Sequence, residues 1–430
     1  MKISITQSKS IRLDRFTIIS LLVYLNFISF SVRGFEEAQT NLFSSDSIIR
    51  VISLGLAAVL LLISFTRLKT IRIPGKPIWW LTIYWLIGIL SLVNGQWVAY
   101  AAVKLFEYGV YLMYAVYVYN LDLKDQSAIR KSFEFFVKFL KFMVFVAVIG
   151  LIISPSKALY AGMDEHSAIK EAVLPFILNG WILPLTSTSL CYFAAFLSYF
   201  YLLKLILERV SLSNFIFLLL YISVMVISQS RMAILGFFIA SMLFFISHSK
   251  NKKVCVVILC TGFLLIINFP YLLDFLSRGQ DRDMILSVSG RTEWWGHALE
   301  TFKNQSIFKK IFGGGFAAAE KIVAYQSNAA MYTLDSEFLS VLIGTGFLGL
   351  LAFSCSWFTQ IKNLFITRPV LIGLTDKDKI LWYQASGVLL MIFIRMITAT
   401  SIAIVTYYML IYVLCSLVFE KLKAERNINP

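Results

Sequence analysis

The chain has 430 residues, of which 59% are hydrophobic and 15% are charged, whereas soluble domains carry about 45–50% apolar and about 25% charged residues. This composition excludes an ordinary soluble globular protein. The net charge of +15 lies mainly in short connections between apolar runs, so it indicates membrane topology rather than nucleic-acid binding, and no nucleic-acid partner is expected.

Twelve apolar runs predict twelve membrane-spanning helices, because lipid admits only helices or closed barrels and these runs do not alternate with period two. The first run follows a basic N-terminal tail and lacks a small-residue cleavage site, so we expect a retained helix rather than a signal peptide. In chain order, the predicted spans are 16–32, 48–66, 78–94, 98–119, 139–154, 181–203, 213–229, 232–247, 254–270, 336–357, 380–396 and 402–419.

Basic residues are enriched in the loops on the side of the membrane that holds the two termini. That side carries 25 lysines and arginines, against 7 on the other side when the long polar loop is left out. Such residues favour the cytoplasmic face, so both termini are predicted to be cytoplasmic and the long loop to face outward. The expected organisation is spans 1–9 in residues 1–270, an extracytoplasmic loop at 271–335, and spans 10–12 with a cytoplasmic tail in 336–430.

The long polar loop holds Arg278, Arg282 and Arg291. Residues 289–302 within it have apolar side chains at helical spacing and begin with Ser289 and Gly290. An amphipathic helix of this kind fits the membrane interface, and its N-terminus offers N–H groups to a phosphate.

Trp294 and Trp295 lie on the apolar side of this predicted helix. Tryptophan rings are typical of headgroup depth in a membrane protein, and rings in an outer loop can also stack on sugars. A helix that only packs over one end of the bundle explains the same spacing.

Charged side chains inside apolar runs cost about 2.5–3.5 kcal/mol at a helix centre on insertion scales. Arg231 and Arg395 occupy such positions near the predicted outer side, and with Arg291 they predict a cationic pocket that opens outward. Arginines near helix ends also reach lipid headgroups, which is the simpler explanation for each one alone. Lys104 and Glu107 are three residues apart and are expected to neutralise each other.

Asp335 and Glu337 stand where the tenth predicted span begins. Carboxylates at a helix N-terminus are stabilised by the helix dipole, so capping explains them, and a general base at the edge of the pocket is the functional alternative. Gly313–Gly315 indicates a turn or a close backbone approach. His166 and His297 have no partners at ligand spacing, so no metal site and no cofactor are predicted.

The order of these motifs resembles the superfamily of O-antigen polymerases and O-antigen ligases, the Wzy/WaaL-type membrane glycosyltransferases. The resemblance by motif covers about residues 215–355, and by span count and loop position it covers the whole chain. The motifs are Ser230-Arg231, Gly290-Arg291 with Trp294-Trp295 and Ala298-Leu299, Ile311-Phe312-Gly313-Gly314-Gly315-Phe316, and Asp335-Ser336-Glu337-Phe338-Leu339 with Gly346 and Gly349 further on.

The resemblance implies a GT-C-like all-α fold in the bacterial inner membrane and an undecaprenyl-diphosphate-linked oligosaccharide as substrate. It implies metal-independent transfer on the outer face, with Arg231 and Arg291 at the positions that hold the diphosphate. Ligases of the family carry histidine, typically His-Asn, where this chain has Asp335-Ser336, which favours a polymerase. Family polymerases often have an arginine in the shorter outer loop, where this chain has only Lys157 and Lys170.

The resulting hypothesis is a surface-polysaccharide polymerase whose arginines bind the diphosphate and whose carboxylate activates the acceptor hydroxyl. The alternatives are an O-antigen ligase, a lipid-linked oligosaccharide flippase and a non-catalytic scaffold. A chain-length regulator and membrane lipid are expected partners. The candidate residues are, for catalysis, Asp335, Glu337 and Arg291, and, for substrate binding, Arg231, Arg395, Arg278, Arg282, Trp294 and Trp295.

Overall fold

The computed structural model describes residues 14–28, 45–68, 70–160, 176–183, 185–208, 211–248, 291–327, 334–367 and 375–428. These residues are largely helical, with one short antiparallel pair of strands, β1 (Leu159–Tyr160) and β2 (Ile177–Leu178). The helices are α1 (Arg15–Leu25), α2 (Ser45–Phe65), α3 (Lys76–Ser91), α4 (Val98–Asp125), α5 (Ala128–Ile153), α6 (Pro155–Ala158), α7 (Ser187–Leu207), α8 (Leu212–Ser228), α9 (Arg231–His248), α10 (Arg291–Asn304), α11 (Ile307–Phe312), α12 (Ala319–Ser327), α13 (Glu337–Thr367), α14 (Asp376–Met396) and α15 (Tyr407–Ile428).

Among the described residues, six helices are long and apolar enough to cross a membrane, namely α2, α3, α5, α7, α13 and α14. Helices α1, α8 and α9 are apolar but shorter. The prediction of a helical, polytopic membrane protein is therefore confirmed. The count of twelve spans stays a prediction, and the ninth predicted span, at 254–270, lies outside the described residues.

Helix α13 packs along α3 at the centre of the bundle, and aromatic rings fill the space beside them. The Tyr84 ring centroid is 5.8 Å from that of Tyr108, and Phe316 lies 5.5 Å and 5.3 Å from these two rings. All three side chains are buried. Because Phe316 follows α11, part of the long polar loop is anchored inside the bundle rather than lying free over it.

The triple glycine docks on a break in α13. Gly314 and Gly315 donate their N–H groups to the carbonyl oxygens of Ile343 and Gly344, both at 3.0 Å. The break is at Gly346, whose φ of 69° lies in the left-handed region. Backbone groups freed inside a membrane bundle need partners within the protein, and the glycine segment supplies them. The predicted close approach at Gly313–Gly315 is thus confirmed.

Ion pairs tie the helices together at the end of the bundle that holds the C-terminal turns of α4 and α15. Lys421 contacts the Asp122 carboxylate at 3.2 Å, and Arg130 pairs with Asp378. These contacts join α4 to α15 and α5 to α14.

Several helices begin at points that differ from the predicted spans, and for α5 and α15 the structure shows the cause. Helix α5 starts at Ala128 rather than at 139, because the Asp122 carboxylate accepts the N–H of Ile129 at 2.9 Å and supports a polar first turn. Helix α15 starts at Tyr407 rather than at 402, because the residues just before it are folded into a turn that a buried carboxylate holds.

Candidate functional site

Arg395 stands in the last turn of α14 between aromatic rings. Its guanidinium carbon is 4.3 Å from the ring centroid of Tyr408 and 5.1 Å from that of Tyr192, and its Nη2 donates to the carbonyl of Thr400 at 3.4 Å. The Arg395 Nε and the hydroxyls of Tyr192, Tyr407 and Tyr408 are buried without a hydrogen-bond partner of normal geometry among the described residues. A cation held against rings in this way keeps donor capacity for an anion.

Arg231 opens α9 directly after the tight turn from α8, as the sequence predicted. The Cys191 thiol lies 3.8 Å from the carbonyl oxygen of Ser230, and Tyr192 is the ring next to Arg395. The start of α7 therefore touches the segments that carry both arginines. This contact brings two arginines that are far apart in sequence to one end of the bundle.

Glu337 is the first residue of α13 and is fully buried. Its carboxylate accepts the N–H of Ile402 at 2.6 Å and also the N–H groups of Ser401 and Ala403. A buried carboxylate needs such donors to offset its loss of hydration. The sequence suggested Glu337 as a base, but the structure commits both of its oxygens to the backbone, so Glu337 fits an anchor that fixes the turn after Arg395.

Asp335 lies two residues before this anchor and faces Arg291. Arg291 Nε donates to the Asp335 carboxylate at 2.8 Å, and the two side chains are 29% and 27% exposed. Asp335 adopts a positive φ of 42°, a conformation that costs free energy outside glycine. The pair is therefore held in place, accessible, and next to the start of a central helix.

Glu320, in α12, supports the turn that presents Asp335. Its Oε1 accepts the N–H of Leu334 at 3.2 Å, and Leu334 is buried. Burial raises the pKa of the Glu320 carboxyl, the nearby charge of Asp335 raises it further, and the Leu334 hydrogen bond and Lys321 only partly offset this. Burial also lowers the pKa of the Lys321 ammonium.

Lys321 lies over two aromatic rings at the start of α4. Its Nζ is 5.2 Å from the centroid of Trp97 and 4.6 Å from that of Tyr100. Lys104 lies 5.9 Å from the same Tyr100 ring and forms an ion pair of 2.8 Å with Glu107. The predicted neutralisation of Lys104 by Glu107 is confirmed.

Five of the residues singled out from the sequence gather at the end of the bundle formed by the first turn of α13 and the last turn of α14. We call it the arginine end. The Glu337 carboxylate links the two turns, and the ion pair with Asp335 places Arg291 at this end. The contact at Cys191 places Arg231 at the same end as Arg395. Two further candidates lie outside the described residues, Arg278 and Arg282.

The predicted amphipathic helix is α10, and it packs with Ala298 buried. Trp294 and Trp295 are half-buried, and the Trp295 indole N–H has no hydrogen-bond partner among the described residues. Leu299 was expected on the packed side, but it is 53% exposed. The helix thus covers the arginine end with one side and presents apolar surface on another. This arrangement fits both interpretations of its sequence, a helix at the membrane interface and a helix that packs over one end of the bundle.

Sequence reasoning missed several residues of this site. Glu320 and Lys321 lie in a polar loop, where charged residues are common and attract no attention. Tyr192, Tyr407 and Tyr408 lie in apolar runs, where aromatic residues are also common. Their contact with Arg395 is what marks these tyrosines as part of the site, and no spacing in the sequence predicts that contact.

The helical bundle carries a cluster of cations beside a carboxylate at one end, an arrangement that suits an anionic ligand. Residues 216–354 match the family model described as O-Antigen ligase, which is 139 of the 430 residues. The match covers about a third of the chain and relates this segment to the superfamily of O-antigen polymerases and ligases, whose members are glycosyl-transfer enzymes of bacterial membranes. A comparison with curated proteins returned no match.

The matched segment runs from α8 to the middle of α13 and contains Arg231, Arg291 and Asp335. The resemblance noted from the motifs over about residues 215–355 is therefore confirmed at the level of the superfamily. Members of that superfamily act on lipid-linked glycans in a membrane.

Proposed function

We propose that the protein is a polymerase of a bacterial surface polysaccharide. It transfers a nascent glycan from undecaprenyl diphosphate to an incoming lipid-linked repeat unit, with inversion and without a metal. The observation that supports this most directly is the contact of Arg291 with Asp335 at the end of the bundle that also holds Arg231 and Arg395. It sets a carboxylate beside cations that suit a diphosphate.

The reaction exchanges one C–O bond for another. The acceptor hydroxyl oxygen bonds to the anomeric carbon of the donor while the bond from that carbon to the phosphate oxygen breaks, and the electron pair leaves with the lipid diphosphate. The hydroxyl proton passes to the Asp335 carboxylate, which acts as general base. Arg231, Arg291 and Arg395 neutralise the charge that grows on the leaving diphosphate.

The Arg291–Asp335 pair links donor binding to base activation. A carboxylate that is paired with a guanidinium is not free to accept from a hydroxyl, and a lipid diphosphate competes with Asp335 for Arg291. Donor binding therefore loosens the ion pair and frees Asp335 for the acceptor hydroxyl. Since the pair is only partly buried, both partners are accessible to substrate.

We also propose that the arginine end faces away from the cytoplasm of the inner membrane and that both termini are cytoplasmic. The ratio of 25 to 7 basic residues between the two sides, with the long polar loop left out, supports this orientation. A lipid carrier whose glycan has already been moved outward would then meet Arg231, Arg291 and Arg395 directly.

An O-antigen ligase is the second candidate, because the matching family model carries that description. The presence of Asp335-Ser336, where ligases typically have His-Asn, favours the polymerase. The two functions differ in phenotype. Loss of a polymerase leaves single repeat units on the surface acceptor, whereas loss of a ligase leaves full-length polymer on its lipid carrier.

The test uses cells of the source strain that lack the chromosomal copy and carry plasmid variants. Arg291→Ala removes a charge-assisted phosphate contact of about 1.5–3 kcal/mol, so long glycans should fall roughly 10- to 100-fold. Asp335→Asn should reduce them about 10²- to 10⁴-fold, the usual contribution of a general base. The measurement is the length distribution of surface glycan at matched protein levels.

Arg72→Ala is the control, because Arg72 is exposed and its backbone contacts Asn120 near the opposite end of the bundle. It should leave the glycan ladder intact. A full ladder with both Arg291→Ala and Asp335→Asn would remove the basis of the proposed mechanism. Accumulation of long polymer on the carrier lipid in the deletion strain would assign the ligase instead.

A further inference from the structure

Within the described ranges, Lys321 has no carboxylate partner for its charge. Among the described residues, no carboxylate oxygen lies within 4.0 Å of its Nζ, whereas Lys104, beside the same Tyr100 ring, is bound to Glu107 at 2.8 Å. The neighbouring Glu320 carboxylate is turned toward the N–H of Leu334 instead. The positive charge of Lys321 is thus left for a ligand.

The surroundings of Lys321 are aromatic rings and exposed apolar side chains. Trp97 is 39% exposed and contacts the ammonium with its ring face. On either side of it, Val93 and Val98 are 78% and 46% exposed. An ammonium that lies partly out of water gains more from a phosphate than a solvated one does, and the exposed apolar residues offer a surface to a hydrocarbon tail.

This cluster is separate from the cations proposed to hold the donor. Lys321 lies between α12 and the start of α4, whereas Arg395 lies among α7, α14 and α15. Asp335 lies between the two clusters. On one side it follows Leu334, whose N–H is bound by Glu320. On the other side it comes two residues before Glu337, which anchors the turn after Arg395. Cationic groups therefore flank the proposed base from two directions.

The proposed reaction joins two lipid-linked molecules, and each carries its own phosphate groups. The acceptor reacts at the sugar farthest from its lipid, so its phosphates must be held at a distance from the base, near the membrane. A cationic cluster at the start of the long helix α4, beside exposed valines, meets this requirement.

We propose that Lys321, with Trp97 and Tyr100, forms the subsite for the phosphate-bearing headgroup of the acceptor lipid. This inference rests on the proposed function, and it adds a binding site distinct from the arginines that take the donor. Lys321 supplies the charge, and Trp97 supplies a flat apolar surface for the part of the acceptor next to its phosphate.

The test separates the two substrates chemically. The donor is a lipid-diphosphate-linked repeat unit blocked at its non-reducing end, so that it cannot accept. The acceptor is a repeat unit joined to its lipid through a C-glycosyl phosphonate, so that it cannot be transferred. Purified full-length protein in nanodiscs of zwitterionic phospholipid then gives a separate KM for each.

Lys321→Ala should raise the acceptor KM about tenfold and leave the donor KM within about twofold of wild type. Lys321→Arg should retain most of the affinity, because it keeps the charge. Lys303→Ala is the matched control, since Lys303 is an exposed lysine of α10, and it should change neither constant. Arg291→Ala should instead raise the donor KM.

If Lys321→Ala leaves the acceptor KM unchanged while Arg291→Ala raises the donor KM, the subsite is wrong and the proposed function stands. If wild-type protein joins no donor to acceptor, both fail. A parallel series in nanodiscs with anionic phospholipid identifies the source of the phosphate. If Lys321→Ala alters activity only there, the cluster binds bulk lipid headgroups and the acceptor assignment is overturned.

Discussion

Buried charge at the arginine end is handled in two ways. Glu337 has its carboxylate surrounded by backbone N–H groups of Ser401, Ile402 and Ala403, which makes it part of the framework. Arg395 is held by ring faces and by one long hydrogen bond, and its Nε has no hydrogen-bond partner among the described residues. A satisfied charge stabilises a fold, whereas an incompletely satisfied one is free to bind.

Glu320 gives the protein a pH-dependent stability. The pKa of Glu320 is raised above its ordinary value of 4.5, mainly by burial, so the folded protein binds a proton more tightly than the unfolded chain does. Stability therefore falls as pH rises from about 4.5 through the raised value. Glu320→Gln, which keeps an oxygen for the N–H of Leu334, should flatten this part of the profile.

The measurement is the thermal unfolding midpoint of the detergent-solubilised protein, taken in steps from about pH 4 to about pH 8. Glu293→Gln serves as the control, because Glu293 is an exposed glutamate of α10, and it should reproduce the wild-type slope. An unchanged slope in Glu320→Gln would contradict the assignment of this pH dependence to Glu320.

At the residue scale, the sequence drew attention to the arginines but did not distinguish the two carboxylates. Arg231 and Arg395 attracted attention because a charge in an apolar run is costly and needs a reason. Asp335 and Glu337 are adjacent to one helix start and looked equivalent. The structure separates them, because burial and backbone contacts depend on the fold of residues 401–403, far away in the chain.

At the scale of elements, the break in α13 is the least regular feature of the bundle. Gly346 interrupts the helix, and the triple glycine after α11 satisfies the carbonyl groups of Ile343 and Gly344. Residues of the polar loop therefore support a spanning helix whose first turn carries Glu337. These loop residues therefore stabilise the helix that forms part of the arginine end, in addition to covering that end.

Gly346→Ala should destabilise this junction strongly. A Cβ at Gly346 would lie 2.4 Å from the carbonyl oxygen of Ile311, and its φ of 69° is unfavourable for alanine. We expect a loss of at least about 2 kcal/mol in stability, because backbone strain and a clash with backbone add together. The measurements are the thermal unfolding midpoint and the yield of folded protein.

Gly296→Ala is the matched control, since a Cβ there meets no atom within 4 Å and the residue lies inside α10. It should be neutral or should stabilise by up to about 1 kcal/mol, because alanine favours helix. Equal effects of the two substitutions would show that the break in α13 carries no special constraint.

The sequence predicted which helices form more reliably than it predicted where each helix begins and ends. Apolar runs predicted the spanning helices, since burial in lipid requires them, and the spacing of residues 289–302 predicted α10. The start of α15 was misplaced because residues 402–406 are as apolar as a helix but are held by Glu337 in a turn. Tertiary contacts overrode local composition there.

At the scale of the whole molecule, the charges of the central helices lie near their ends. In α13 they are Glu337 and Lys362, and in α14 they are the residues of 376–379 and Arg395. A flippase needs a polar route through both leaflets, and these two helices provide none along their middle turns. Charges confined to the ends of these two helices favour an enzyme that acts at one face.

The global arrangement was predictable in outline and not in detail. Composition alone predicted the class, a helical membrane protein, because the hydrophobic and charged fractions of the chain differ so far from those of soluble domains. The meeting of Arg231, Arg291 and Arg395 was inferred only from their predicted side of the membrane. Their common location in the structure depends on packing among α7, α9, α13 and α14, which no local pattern encodes.

The most direct test of the central claim is chain extension by the purified protein in proteoliposomes, with a defined undecaprenyl-diphosphate-linked repeat unit as the sole substrate. Wild-type protein should produce a ladder of longer lipid-linked glycans, and Arg231→Ala and Arg291→Ala should each suppress it at least about tenfold. Movement of the unit across the bilayer without lengthening, or a full ladder from both variants, would contradict the account.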